Sequence, residues 1–110
     1  MDEQERKEID RACLELMGWT CLAYSAGMWH GNHPAGPWLS SSPSRDRLYV
    51  VSLAEALVSL GYSVCLFAVR GQWEVTVCHG ETWKRAMVDA PTAEEALAVA
   101  AARALKGDLE

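Results

Sequence analysis

GYSVCLFAVRGQWEVTVCHGETWKRAMVD, residues 61–89, holds three β-type runs separated by two short, glycine-bearing turns. Tyr62–Val69 is the first run, and Arg70-Gly71-Gln72 turns the chain. Trp73–His79 follows, with Trp73, Val75, Val77 and His79 on one face and Glu74, Thr76 and Cys78 on the other. Gly80-Glu81-Thr82 makes the second turn, and Lys84–Asp89 is the third run. Neither turn can hold a crossover helix, so the segment predicts an antiparallel meander. Tyr62–Val69 is apolar on both faces, which predicts cover from both sides.

Helices are predicted on either side of the meander. Upstream, Ser42-Pro43-Ser44 can open a helix over 45–60, since serine caps and proline suits a first turn. Gly61 ends it. This helix is apolar around most of its circumference; beyond the first turn only Ser52, Glu55 and Ser59 form a polar stripe. Its cover is either the rest of the domain or a second copy of the chain. Downstream, Thr92-Ala93-Glu94-Glu95 is a capping box, and a last helix runs on through Leu97, Ala101, Ala104 and Leu105. A first helix is expected over 2–17. There Ile9, Ala12, Cys13, Leu16 and Met17 make one apolar stripe, and Gly18 supplies the C-terminal cap. The order helix, long loop, helix, three strands, helix predicts an α+β chain. With two helices on one face of the meander and the third on the other, it becomes an α/β/α sandwich.

The chain's 110 residues are expected to form a single domain, 1–110, large enough to bury roughly two-thirds of its unfolded surface. The net charge of −5 sits at the ends: residues 1–15 carry six acids against three bases, and 91–110 four against two. No basic stripe exists to track a phosphate backbone, so duplex nucleic acid is not an expected partner. Residues 1–15 are acidic where a secretory signal needs a basic start, and no apolar run approaches a membrane span. Cys13, Cys21, Cys65 and Cys78 have no CxxC spacing. Reduced thiols in a cytoplasmic protein, or host cytoplasm for a phage product, are the expectation.

The segment 19–43 exceeds a plain connection and carries Trp19, Tyr24, Trp29 and Trp38. Read as one long aromatic loop, it is ordered rather than disordered, because disordered segments are poor in aromatics.

Several of these residues resemble the small phage and prophage proteins of the phage ABA-sandwich domain family. Met17-Gly18-Trp19 is similar to the family's MGW signature, and Ser44-Arg45-Asp46 to its S-x-D helix start. Gly61-Tyr62, Trp73-Glu74-Val75 and Ala90-Pro91-Thr92-Ala93-Glu94-Glu95-Ala96 follow in matching order, so the likeness spans about residues 10–106. Pro43 departs from the aromatic usual at that place, and the 19–43 segment is longer than typical. The resemblance implies an α/β/α fold and a phage origin, and it carries over no catalytic residue.

Familiar catalytic patterns fail on inspection. His30-x2-His33, with Cys21 or Cys13, is half a zinc site without a second recognisable pair. His79-Gly80-Glu81 begins a zinc-deaminase motif whose P-C-x-x-C never follows. Cys78 and His79, adjacent on a strand, point to opposite faces. The G-x-S-x-G elbow and the glycine-rich phosphate loop are absent. No cofactor or metal is expected.

What remains is a ligand site at the start of the second helix. Trp29 and Trp38 offer stacking surfaces, and His30, Asn32 and His33 offer adaptable polar contacts. Ser42 and Ser44, with free amides at a helix N-terminus, suit a phosphate that Arg45 and Arg47 can close upon. The expectation is a non-enzymatic, anti-defence phage sponge that sequesters a nucleotide-derived immune signal, oligomeric through helix 45–60. The alternatives are an inhibitor that docks its aromatic loop and acidic face on a host enzyme, and an unrecognised hydrolase.

Overall fold

A computed structural model describes residues 1–110. Three helices and two three-stranded antiparallel sheets make a compact α+β structure. α1 spans Glu3–Leu16, capped by Asp2, whose carboxylate accepts the Glu5 N–H at 2.8 Å. It ends in a Schellman turn: Gly18 takes φ +89° and the Trp19 N–H reaches back to the Leu14 carbonyl at 3.0 Å.

The segment expected to be a loop forms a sheet. β1 (Thr20–Ser25), β2 (Met28–Asn32) and β3 (Trp38–Ser41) pair in chain order. β1 contains a bulge between Thr20 and Ala23, where Cys21 sits at φ +56°. At Gly31 a Cβ would lie 2.7 Å from a Leu22 methyl and 2.8 Å from the Thr20 carbonyl, so only glycine permits that approach. Trp29, Gly31 and Ser41 are buried on one face, while His30, Asn32, Trp38 and Ser40 share the other.

The second helix begins later than serine capping predicts. Arg47–Tyr49 is a 3₁₀ turn capped by Asp46, and α2 proper is Val50–Ser59. β4 (Tyr62–Val69), β5 (Gln72–His79) and β6 (Arg85–Ala90) form the expected meander, and α3 is Ala93–Leu105. The Thr92 hydroxyl accepts the Glu95 N–H at 3.3 Å, one half of the expected capping box, while the Glu95 carboxylate meets Arg6 instead.

α2 and α3 lie on one face of β4–β6, and α1 packs on both helices and carries the first sheet. Val75, Val77, Val88 and Ala90 meet Leu53, Leu57 and the alanines of α3 in the larger core, which Cys13 also joins. A second, smaller cluster joins Leu14, Trp19 and Trp29. α1 does not take the outer face of the meander. Ser63, Cys65, Phe67 and Val69 of β4 and Met87 of β6 are exposed there. No helix is long and apolar enough to cross a membrane.

Candidate functional site

Ser42 and Ser44 are buried, and Asp10 of α1 holds both. The Ser42 hydroxyl donates to Asp10 Oδ2 at 2.5 Å, and the Ser44 N–H donates to Oδ1 at 2.7 Å. Asp10 is itself 2 % exposed, so this carboxylate resides in the interior because those donors meet it. Arg6 then reaches Ser44 Oγ at 2.8 Å and Glu95 at 3.1 Å. Arg45 Nε donates to Ser42 Oγ at 3.1 Å, and its Nη2 to the Gly27 carbonyl at 2.6 Å. Arg47 pairs with Glu94 at 3.4 Å.

Several of the amides expected to bind an anion are therefore occupied. Those of Arg45, Tyr49 and Val50 bond to carbonyls of Ser42, Asp46 and Arg47, and that of Leu48 to the Asp46 carboxylate. The two indoles do not form one platform either. Trp29 is 5 % exposed and donates its ring N–H to the Lys7 carbonyl at 2.8 Å. Trp38 is 56 % exposed, on the opposite face of the first sheet. Arg45 and Arg47 thus both find partners within the chain. Nothing in the structure explains why the buried Ser41 hydroxyl has no partner.

The two histidines of H-x2-H also part company. His30 lies between the hydroxyls of Ser40 and Ser25, with Nδ1 at 2.6 Å and Nε2 at 2.9 Å. This hydroxyl–imidazole arrangement lies on the sheet's outer face beside Asn32 and Trp38. The Ser25 carbonyl, 3.2 Å from Nε2, also orients the ring. No group of three His, Cys, Asp or Glu side chains is placed to hold a metal ion. Burial, reinforced by the Asp10 carboxylate, pushes the Cys13 thiol far above its ordinary pKa, and its Sγ faces the Ala98 carbonyl at 3.6 Å.

His33 leads to a different place. A cleft of about 430 Å³ opens between the end of α1, the turn after β2 and one flank of α2. Trp19, His33 and Tyr49 line one side. Ring centroids are 5.4 Å apart for Trp19–His33, 5.8 Å for Trp19–Tyr49 and 6.5 Å for His33–Tyr49. Trp19 is buried behind the other two, which are half-buried. The turn at Gly18 folds Trp19 back over α1 and so builds this wall. Burial, with Asp46 nearby, raises the Tyr49 phenol's pKa, keeping it neutral.

The polar stripe of α2, Ser52, Glu55 and Ser59, lines the cleft as well. The Ser59 hydroxyl is spent on the Glu55 carbonyl at 3.0 Å, but the Glu55 carboxylate has no hydrogen bond or ion pair in the chain. His33 Nδ1 accepts the Ala35 N–H at 2.9 Å, so the neutral ring carries its proton on Nε2, a donor without a partner. No lysine or arginine lines the cleft. The arrangement can stack a flat ring, accept a pair of ligand donors at Glu55 and give one bond from His33. A scan against protein-family models and a search of curated proteins both find no match for this chain.

Of the residues expected to bind ligand, only His33 lines the cleft. Asn32 and Trp38 pair with each other across β2 and β3, Ser42, Ser44 and Arg45 belong to the Asp10 cluster, and Arg47 meets Glu94. Trp19, Tyr49 and Glu55 went unassigned to a site in the sequence. Their signal was there: a tryptophan just past a helix-ending glycine, and one acid on an otherwise apolar helix.

Proposed function

We propose that this chain binds, without turning it over, a flat ring-bearing ligand of nucleoside size in the cleft between Trp19–His33–Tyr49 and the polar flank of α2. The observation that carries the reading is the unpaired Glu55 carboxylate in a ring-walled cleft of about 430 Å³, a size within the usual range for small-molecule sites. A carboxylate there accepts adjacent donors such as a ribose diol or a base edge, and repels phosphate. The base and sugar of a nucleotide-derived ligand enter, and its phosphates stay in solvent. Resemblance to phage sandwich proteins makes sequestration of a host nucleotide signal the matching biological role.

Calorimetric titration with adenosine, guanosine and their 5′-monophosphates tests this. At least one nucleoside is expected to bind, no more weakly than its monophosphate, and to be recovered intact. Tyr49→Ala and Glu55→Gln should each weaken it by about tenfold or more, the loss of one stacking or charge-assisted contact. No binding by any of the four, or affinity that rises with phosphate, would refute the site.

A further inference from the structure

The other flank of α2 faces a second groove, of about 560 Å³, which shares Glu55 and Ser59 with the first cleft but not Trp19, His33 or Tyr49. Val50, Val51, Ala54 and Val58 form its helical side, and Val64 and Leu66 of β4 its floor. Val51 and Val58 are 66 % and 58 % exposed. Glu55, at the rim, is the only charge.

β4 is an edge strand, since the sheet order is β4-β5-β6. Gly80 N–H bonds to the Gly61 carbonyl, one step beyond the Tyr62↔His79 pair. Odd-numbered residues of β4 therefore exchange hydrogen bonds with β5. Those of Tyr62, Val64, Leu66 and Ala68 turn their N–H and C=O outward along the groove. Two other margins are protected. β1 is bulged, and β6 exchanges two backbone bonds of 2.9 Å between Arg85 and Glu110 and carries Arg85 and Asp89. β4 has eight residues without a charge or a proline, the kind of edge that proteins ordinarily cover or blunt.

We propose that α2 and β4 form a docking groove for an extended peptide, which adds a fourth strand to the second sheet. The peptide pairs its backbone with Val64 and Leu66, sends alternate apolar side chains beneath Val51, Ala54 and Val58, and sets a lysine or arginine at the Glu55 rim. A strand is the occupant that matches a row of unpaired amides and carbonyls beside apolar side chains; a helix or a flat surface leaves that row unmet. A second copy of the chain fits less well. Paired strands stand about 4.8 Å apart, but two helices need about 8–10 Å between axes, and each copy carries α2 over its own β4. Glu110 is held at the far edge, against Arg85.

Selection of random octapeptides displayed on a surface tests the proposal, with wild type as bait. Val58→Arg, substituted at an exposed position, serves as counter-bait. Enriched peptides are expected to alternate apolar residues, to lack central prolines and to bind wild type at least about tenfold more tightly than Val58→Arg. They should also slow hydrogen exchange at the amides of Val64 and Leu66 but not at Cys65 and Phe67. Three results would overturn it: no enrichment, peptides that bind Val58→Arg equally, or a wild-type dimer in sedimentation that Val58→Arg dissolves. The last would assign the groove to a second copy.

Discussion

Asp10 shows how much one side chain can organise. It is a helix residue with an aspartate's poor propensity, and its carboxylate replaces water with the Ser42 hydroxyl and the Ser44 amide. The junction between β3 and the 3₁₀ turn is thereby tied to α1, and the tie consumes the donors that a phosphate would need. Asp10→Ala should cost about 3 kcal/mol, because two buried donors lose a charged acceptor and have no substitute. Urea unfolding followed by far-ultraviolet circular dichroism measures it; a loss below about 1 kcal/mol would show that water can replace the carboxylate. The serine-rich sequence Ser40-Ser41-Ser42-Pro43-Ser44 signalled that a helix begins nearby. It carried no sign that an acid thirty residues upstream would satisfy it, because that pairing is a tertiary contact.

Among the elements, the β4–β5 hairpin was legible to within one residue, Gln72 belonging to β5 rather than to the turn, and the first sheet was not. Arg70 at φ +48° and Gly71 at φ +80° form a two-residue hairpin turn with both central residues left-handed. Glycine takes that conformation freely and arginine does not, so Arg70→Asn should stabilise the protein by about 0.5–1 kcal/mol, read as a rise in melting temperature. An unchanged or lower value would mean that the arginine side chain offsets its backbone strain. β1 to β3 have only six, five and four residues. A bulge interrupts the period of two in the first, Gly31 sits inside the second, and Pro34 and Pro37 precede the third. Each feature has a purpose in the sheet, yet in sequence each reads as a turn or a breaker. Trp19 and Trp29 were correctly taken as marks of order, but they anchor a sheet onto α1 rather than lining one open loop.

Across the whole molecule, α3 is the central support. Ala96, Ala98, Ala100 and Ala101 are fully buried, with α1 and α2 packed against the helix and β5 and β6 beneath it. Small side chains let those layers approach closely, and the Ala98 carbonyl meets the Cys13 thiol across that contact. Ala98→Leu should cost about 1–3 kcal/mol by forcing α1 away from α3, measurable as a lower denaturation midpoint. Tolerance of leucine there would place slack between the layers. The alanine run was visible as a helix, but its central place was not, since alanine propensity says nothing about how many neighbours a helix has. For the same reason the sandwich with a helix on each face did not emerge. α1 is amphipathic enough to cover a sheet, but its stripe meets α2 and α3 instead. α2, only ten residues long, borders the cleft of Trp19, His33 and Tyr49 with one flank and the groove against β4 with the other, and Glu55 and Ser59 line both. Any effect that filling one flank of so short a helix has on affinity at the other must, by thermodynamic reciprocity, be matched in the opposite direction.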